Sequence, residues 1–200
     1  MNTVPQDAAL IIIDVQQGND DPANGHRNNP EAEVHASRLL AAWRRTNRPI
    51  VHVQHLSSKP DSPYRPGQPG VEIKDLVRPR GDELVIQKHV NNAFIGTDLE
   101  ERLRTQDIDT LVITGLTTDH CVSTTARMAG DLGFQTYLVS DATATFDRTG
   151  PDGVVYRAED VHGISLASLH QEFATVVDTD SLLQLLMDEG KGDAVIPPAR

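Results

Sequence analysis

The chain has 200 residues, of which 38% are hydrophobic and 24% are charged, a balance typical of one folded domain. Its formal charge of −11 at pH 7 disfavours a surface for nucleic acid or anionic lipid, because both partners are themselves negative. The longest strongly apolar run, at 8–13, is too short to span a membrane. We therefore expect a single domain over residues 1–200, with its core at about 8–187, and neither a nucleic-acid nor a membrane partner.

The compartment can be inferred from the cysteine content and the first residues. Cys121 is the single cysteine of the chain, so no intramolecular disulfide can form. Residues 1–5 lack the basic segment followed by an apolar run that marks a secretory signal. The expectation is a reduced, cytoplasmic protein.

Short β-rich runs alternate with segments of helical periodicity along the chain. In chain order we predict a strand at 8–13, a helix at 31–46, strands at 50–55 and 84–87, a helix at 97–106, a strand at 110–114, a helix at 121–132, a strand at 135–140, a helix at 161–170, a strand at 173–177 and a helix at 179–187. Such alternation implies right-handed crossovers, a parallel sheet and helices on both faces. The predicted fold class is a three-layer α/β/α domain with a six-stranded, mainly parallel, Rossmann-like sheet.

Three further features are read from the segments between these elements. Residues 57–79 contain five prolines and two glycines and predict a long loop, which either covers a site or is a surface excursion. Thr97 and Glu100 have the spacing of a capping box at the start of a helix. The tail from Gly190 has no period and is expected to be loose or to make subunit contacts.

Three reactive side chains lie at the carboxyl ends of predicted strands. Asp14 follows the first strand, Lys88 follows the third, and Cys121 opens the helix after the fourth. In parallel sheets the functional site lies beyond these strand ends. A thiol must lose its proton to attack a carbonyl, and a carboxylate base, an ammonium or a helix N-terminus favours that loss. Each residue alone is more often structural, but their convergence predicts a nucleophilic site.

The segment GLTTDHCVSTTAR, at 115–127, resembles the signature of the isochorismatase-like cysteine hydrolases, the superfamily that includes nicotinamidases. The segments IIIDVQQ at 11–17 and VIQKHVNNAFIGTDLEERL at 85–103 resemble the two other motifs of that family. The resemblance extends from about residue 8 to residue 177. It implies the isochorismatase-like hydrolase fold and a homo-oligomer, either a dimer or a tetramer.

The resemblance also implies a role for each motif residue. Cys121 matches the nucleophile of the family, Asp14 its general base, and Lys88 the residue that holds both and polarises the thiol. The family has a cis peptide before the position of Thr117, so the Leu116–Thr117 bond is expected to be cis. The N–H groups of Thr117 and Cys121 are then expected to form an oxyanion hole. The implied reaction is attack on a carbonyl, loss of ammonia or an amine to leave a thioester, and hydrolysis by water.

Other positions are expected to line the substrate pocket. Phe94 matches a recurrent aromatic residue of the family, whereas Asn19 stands where the family often has an aromatic, which suggests a more polar wall. The predicted substrate-binding residues are Phe94, Asn19, His55 and Leu116. Whether His89 or His120 contacts the substrate stays open, and roles in the pocket wall or in packing are favoured over catalysis.

Nicotinamidases bind a divalent metal through an Asp-x-His pair after the second strand and further histidines. This chain has Val-His-Val-Gln-His at 51–55 instead. His52 and His55 are three residues apart in a strand and so point to opposite faces, whereas a metal site needs three or four converging ligands. We predict no metal and no cofactor, and nicotinamide is disfavoured as the substrate.

The predicted function is a cysteine hydrolase that cleaves a C–N bond of a small amide or carbamoyl compound. One alternative is ether hydrolysis of the isochorismatase type, but isochorismatases proper lack a cysteine at the position of Cys121. A second alternative is a catalytically silent or redox-sensing member of the same fold. Carbamoyl compounds, lactams, ureides and aryl amides all remain open as substrates.

Overall fold

A computed structural model describes residues 4–189 of the chain, and the tail predicted from Gly190 lies outside the described residues. The strands and helices are, in chain order, β1 (Ala9–Ile13), α1 (Ala32–Arg45), β2 (Ile50–His55), β3 (Leu84–Lys88), α2 (Leu99–Thr105), β4 (Thr110–Leu116), α3 (Ser123–Asp131), β5 (Gln135–Ala144), β6 (Arg148–Thr149), β7 (Val155–Tyr156), α4 (Ala158–Leu169), β8 (Thr175–Val177) and α5 (Thr179–Glu189).

Six strands form one sheet in the order β3-β2-β1-β4-β5-β8. Each neighbouring pair in it is parallel. The chain runs outward from β1 to β3 and then returns to place β4 on the other side of β1. The strand order therefore reverses between β1 and β4, and in such sheets ligands bind in the crevice at that switch point.

The two central strands, β1 and β4, are buried along their whole length. Successive side chains of β1 point to opposite faces: Leu10 and Ile12 pack in the cluster beneath α1 and α5, whereas Ile11 and Ile13 pack beneath α2, α3 and α4. This arrangement confirms the predicted three-layer fold. None of the helices in the described part of the chain is long and apolar enough to cross a membrane.

Some element boundaries differ from the predicted ones. β5 extends to Ala144, β8 begins at Thr175, and α4 begins at Ala158. The hairpin of β6 and β7 has strands of two residues each, which are too short to show a period in the sequence.

The predicted capping box at Thr97 and Glu100 is wrong, because α2 begins at Leu99 and its N-cap is Asp98. The Thr97 hydroxyl donates instead to the carbonyl oxygen of Ala93 at 2.6 Å. It accepts a bond of 3.4 Å from the N–H of Leu99. The threonine therefore mainly closes the loop that precedes the helix.

Candidate active site

A cavity of about 310 Å³ opens at the carboxyl ends of β1, β2, β3 and β4. It is lined by Asp14, Asn19, His55, Ser57, Ser58, Lys59, Ser62, Tyr64, His89, Asn91, Leu116, Thr117, His120 and Cys121. A larger depression of about 510 Å³ lies at the amino ends of β2 and β3. That depression contains none of the three motif residues at the strand ends, so we place the candidate site in the smaller cavity.

Lys88 is the last residue of β3, and its side chain is fully buried. Its Nζ donates to Asp14 Oδ2 at 2.6 Å and lies 3.5 Å from Cys121 Sγ. It also lies 3.4 Å from His55 Nδ1, across the β2–β3 register in which His55 pairs with Lys88. Burial and the Lys88 ammonium lower the pKa of His55, which favours a neutral imidazole that accepts from the lysine.

Asp14 leaves β1 with a φ of 49°, a left-handed conformation that aspartate adopts more readily than most residues. Its side chain is buried, and Oδ1 accepts no hydrogen bond from the described residues. Burial raises the pKa of the Asp14 carboxyl, while the Lys88 ammonium and the Cys121 thiol oppose that rise. A carboxylate whose pKa is raised is better suited to accept a proton.

Cys121 lies in a π-helical turn, Thr118–Val122, that precedes α3. The predicted position of Cys121, the first of a regular helix, is wrong because the Thr117 carbonyl accepts from the N–H of Val122 and widens the first turn. Burial raises the pKa of the Cys121 thiol, the Asp14 carboxylate raises it further, and the Lys88 ammonium opposes both. The resting sulfur is therefore a thiol that needs a base.

The turn before Cys121 is held by close packing of β4 against β1. The Leu116–Thr117 peptide bond is cis, as the family resemblance implies. Gly115 has a φ of 115°, and a Cβ on it would lie 1.9 Å from the carbonyl oxygen of Ile13. Only glycine permits this backbone conformation and this approach.

Asp119 holds the same turn from the other side. Its carboxylate accepts from Arg148 Nε at 2.7 Å and from the Thr145 hydroxyl. Arg148 also donates to Thr117 Oγ1 at 3.3 Å. Burial acts to raise the pKa of Asp119, but the hydrogen bonds from Arg148 and Thr145 lower it to about 2. The carboxylate therefore stays charged and anchors the turn to β6.

The fold and the strand-end residues together match known proteins. Residues 8–181 match the family model of the isochorismatase domain. This chain belongs to the isochorismatase family. It is 51% identical to the isochorismatase-family protein YrdC of Bacillus subtilis over 175 residues, which cover 88% of this chain and 94% of the relative.

Solved structures agree with that assignment. A crystal structure of an isochorismatase-family protein from Chromobacterium violaceum is 43% identical, with a TM-score of 0.91 over 94% of this chain and 97% of that one. N-carbamoylsarcosine amidase from Thermoplasma acidophilum is 26% identical, with a TM-score of 0.68 over 86% of this chain and 96% of its own. The family consists of hydrolases, and some of them are amidases.

The structure brings three of the four predicted substrate-binding residues of this isochorismatase-family chain to the cavity, namely Asn19, His55 and Leu116. The placement of Phe94 is a correction. Its ring is buried in the core and stacks on Phe134, with ring centroids 5.9 Å apart. An aromatic ring gains more from apolar contact in that core than from a polar cavity.

Six residues that line the cavity were not singled out from the sequence, namely Ser57, Ser58, Lys59, Ser62, Tyr64 and Asn91. Tyr64 donates from its hydroxyl to Asn19 Oδ1 at 2.7 Å, and its ring meets the His55 ring edge-on at 6.0 Å. The Pro-rich segment 57–79 therefore covers part of the site. Asn91 Oδ1 lies 3.8 Å from Cys121 Sγ. Asn91 could have been found from its place in the motif at 85–103, whereas Tyr64 lies in a segment without any period.

A metal site would need several His, Cys, Asp or Glu side chains that converge on one point. Among the side chains that the structure describes, at 4–186, no group of three or more His, Cys, Asp or Glu side chains is arranged to hold a metal ion. His52 lies 2.9 Å from Glu83 on the side of the sheet away from the cavity, whereas His55 lines the cavity. The two histidines therefore diverge, as their spacing predicts, and the absence of a bound metal stays a prediction.

Proposed function

We propose that this hydrolase cleaves a C–N bond of a small amide or carbamoyl compound through a thioester on Cys121. The observation that carries the proposal is the position of Lys88 Nζ, 2.6 Å from Asp14 Oδ2 and 3.5 Å from Cys121 Sγ. A nucleophile, a base and a cation thus meet beside a cavity of small-molecule size. The similarity to N-carbamoylsarcosine amidase supports the same class of bond.

In the first step Asp14 accepts the thiol proton while Cys121 Sγ forms a bond to the substrate carbonyl carbon. Burial raises the pKa of both groups, which means that it disfavours the carboxylate and the thiolate alike. The proton therefore passes between two groups whose ionised forms are both destabilised. The Lys88 ammonium lies within reach of both and offsets the charge that forms. Its role is to keep the pair close to neutral throughout the transfer.

The carbonyl oxygen becomes an oxyanion when the carbon turns tetrahedral. We assign its stabilisation to the backbone N–H groups of Thr117 and Cys121, whose residues both line the cavity. Such donors are worth about 3 kcal/mol each in other hydrolases. Asp14 then gives its proton to the leaving nitrogen, the C–N bond breaks, and ammonia or an amine departs.

The thioester is hydrolysed by the same groups in the second half-reaction. Asp14 takes a proton from water as the water oxygen attacks the thioester carbon. The C–S bond breaks, the thiolate recovers the proton from Asp14, and the acid is released. Ether hydrolysis of the isochorismatase type gains no support from the site, since it would leave Cys121 without a role.

The proposal is tested by ammonia release and by trapping of the intermediate. Wild type and Cys121→Ala would be assayed on a panel of primary amides, ureides and N-carbamoyl compounds, with thermal unfolding as the folding control. We expect ammonia from the wild type, an acyl adduct on it in intact-mass spectra, and neither from the variant. Turnover by Cys121→Ala within about tenfold of wild type would remove the cysteine from the nucleophile role.

A further inference from the structure

The cavity lining does not share the strong excess of negative charge that the whole chain carries. The chain carries −11 at pH 7, but among the described residues lining the cavity Asp14 is the one carboxylate, and Lys88 neutralises it at 2.6 Å. Lys59, on the Pro-rich segment 57–79, also lines the cavity. Across residues 4–186, whose side chains the structure describes, no carboxylate forms an ion pair with Lys59. Lys59 therefore adds to the cavity lining a positive charge that no ion pair with a described carboxylate neutralises.

The neutral lining groups near Lys59 offer hydrogen-bond donors. Ser57 Oγ accepts from the N–H of Lys59 at 3.2 Å, and Ser62 Oγ accepts from the N–H of Tyr64 at 3.2 Å. Neither hydroxyl donates to a described residue, so both hydroxyl hydrogens can turn to a ligand. Both serines belong to the same segment as the lysine.

Apolar recognition has little support in this cavity. Leu116 is its one aliphatic lining residue among those described. The Tyr64 ring is already engaged edge-on with His55, and Phe94 is buried in the core. Sites for neutral aromatic ligands are lined mainly by hydrophobic and aromatic side chains, which is not the composition found here.

We propose that the substrate is an amide or carbamoyl compound that also carries a carboxylate, and that Lys59, Ser57 and Ser62 bind this carboxylate. The inference rests on the proposed function for the amide half of the molecule. An ammonium with two hydroxyl donors matches an anionic oxygen pair, and a cavity of about 310 Å³ suits a small molecule. The segment 57–79 is then the element that selects the substrate.

The test uses two alkylating reagents of nearly equal shape, iodoacetate and iodoacetamide. Each forms an S–CH₂ bond with the sulfur and expels iodide, and they differ in carrying a carboxylate or a neutral amide. Cys121 is the only cysteine of the chain, so intact mass reports its alkylation without background. The measured quantity is the ratio of the iodoacetate rate to the iodoacetamide rate.

We expect Lys59→Gln to lower this ratio about three- to tenfold, as expected for one charge a few ångströms away near a protein surface. Arg65→Gln is the matched control, since Arg65 has the same charge in the same segment but does not line the cavity. Raising the salt from about 0.01 M to about 1 M should bring the wild-type ratio towards that of Lys59→Gln, because the screening length falls about tenfold.

The possible failures separate the two proposals. An unchanged ratio in Lys59→Gln, with Cys121 still alkylated, would overturn the carboxylate site and leave the proposed hydrolysis standing. An equal fall in Arg65→Gln would also overturn it, since the effect would then come from general surface charge. A wild-type Cys121 that reacts with neither reagent would instead contradict its role as a nucleophile.

Discussion

The buried pair of Asp14 and Lys88 decides which substitutions at the candidate site are informative. The two groups are 2.6 Å apart, and their side chains are 6% and 0% exposed. Removing one partner of a buried pair leaves the other charge uncompensated, which costs about 3–5 kcal/mol. A truncated Lys88 would therefore lose stability as well as activity, and changes that keep size and polarity are preferable.

Asp14→Asn should lower turnover about 10²–10⁴-fold, the usual contribution of a general base. The amide keeps the size of the side chain but cannot accept the thiol proton. Alkylation of Cys121 by iodoacetamide should slow as well, since no carboxylate takes up the thiol proton as the sulfur attacks. Ammonia release and alkylation rates would be compared with Asp61→Asn, an exposed carboxylate outside the cavity. Unchanged values in both assays would point to another base.

At the scale of elements, the Pro-rich segment is joined to the end of β1 through Tyr64. The Tyr64 hydroxyl donates to Asn19 Oδ1 at 2.7 Å, and Asn19 Nδ2 donates to the backbone carbonyl of Asp14 at 2.6 Å. The contact is tight, because a Cβ on Gly18 would lie 2.9 Å from the Tyr64 ring. The segment thus supports the base as well as covering the cavity.

Tyr64→Phe should therefore lower kcat up to about tenfold, the effect of one lost hydrogen bond of about 0.5–1.5 kcal/mol. The ring and its contact with His55 remain, so the KM should change less than kcat. Steady-state kinetics over a pH series would show whether the apparent pKa of the base moves with kcat. Tyr156→Phe, on the exposed strand β7, is the control, and an equal effect there would refute the positioning role.

The contact between β4 and β1 leads to a prediction about stability. Gly115→Ala places a Cβ 1.9 Å from the Ile13 carbonyl oxygen at a φ of 115°, so the strands must separate. We expect the free energy of unfolding to fall by more than about 3 kcal/mol, because backbone strain and a disrupted contact in the core act together. Urea unfolding measures it.

Gly163→Ala provides the matched control for that experiment. Gly163 lies in α4, and a Cβ there meets nothing within 4 Å. This substitution should stabilise the protein by about 0.5–1 kcal/mol, since alanine is the better helix residue. Similar losses in both variants would mean that the close approach at Gly115 is not the cause.

At the scale of the whole molecule, two carboxylates at opposite ends of the sheet tie loops to the core. Asp119 holds the cysteine turn to Arg148, and Glu83 pairs with Arg44 at 2.7 Å and with His52 at 2.9 Å. Burial acts to raise the pKa of Glu83, but its hydrogen bonds from Arg44, from the Arg80 N–H and from His52 lower it to about 2. The pKa of Asp119 is lowered to about 2 as well.

These lowered values predict how stability depends on pH. A carboxyl whose pKa is lower in the folded state stabilises the fold above its unfolded pKa, and this contribution is lost as the pH falls through the folded value. The window here runs from about pH 4.5 to about pH 2. Glu83→Gln should be less stable than wild type at pH 7, with a difference that shrinks towards pH 2. The free energies of unfolding of the two proteins would be compared by urea unfolding across this pH range. A difference that does not change with pH would contradict the prediction.

The cytoplasmic location and the homo-oligomer stay predictions of the sequence. The roles of Asp14, Lys88 and Cys121 stay predictions as well, although their side chains meet as expected. Their meeting could be predicted because periodicity is a local property of the chain, and parallel strands bring their carboxyl ends to one edge. The fold class followed from the same alternation of periods, which needs no knowledge of long-range contacts.

Only the tertiary structure decided how the loops fill the space beyond that edge. The Phe94 ring packs in the core, and Tyr64, from an aperiodic segment, lines the cavity. Arg148 contacts the cysteine turn through its ion pair with Asp119. Loop paths depend on which buried groups find partners far along the chain, and no local pattern encodes those partners. The sequence by itself thus determined the fold and the strand-end residues, whereas long-range packing and hydrogen bonding decided the walls of the cavity.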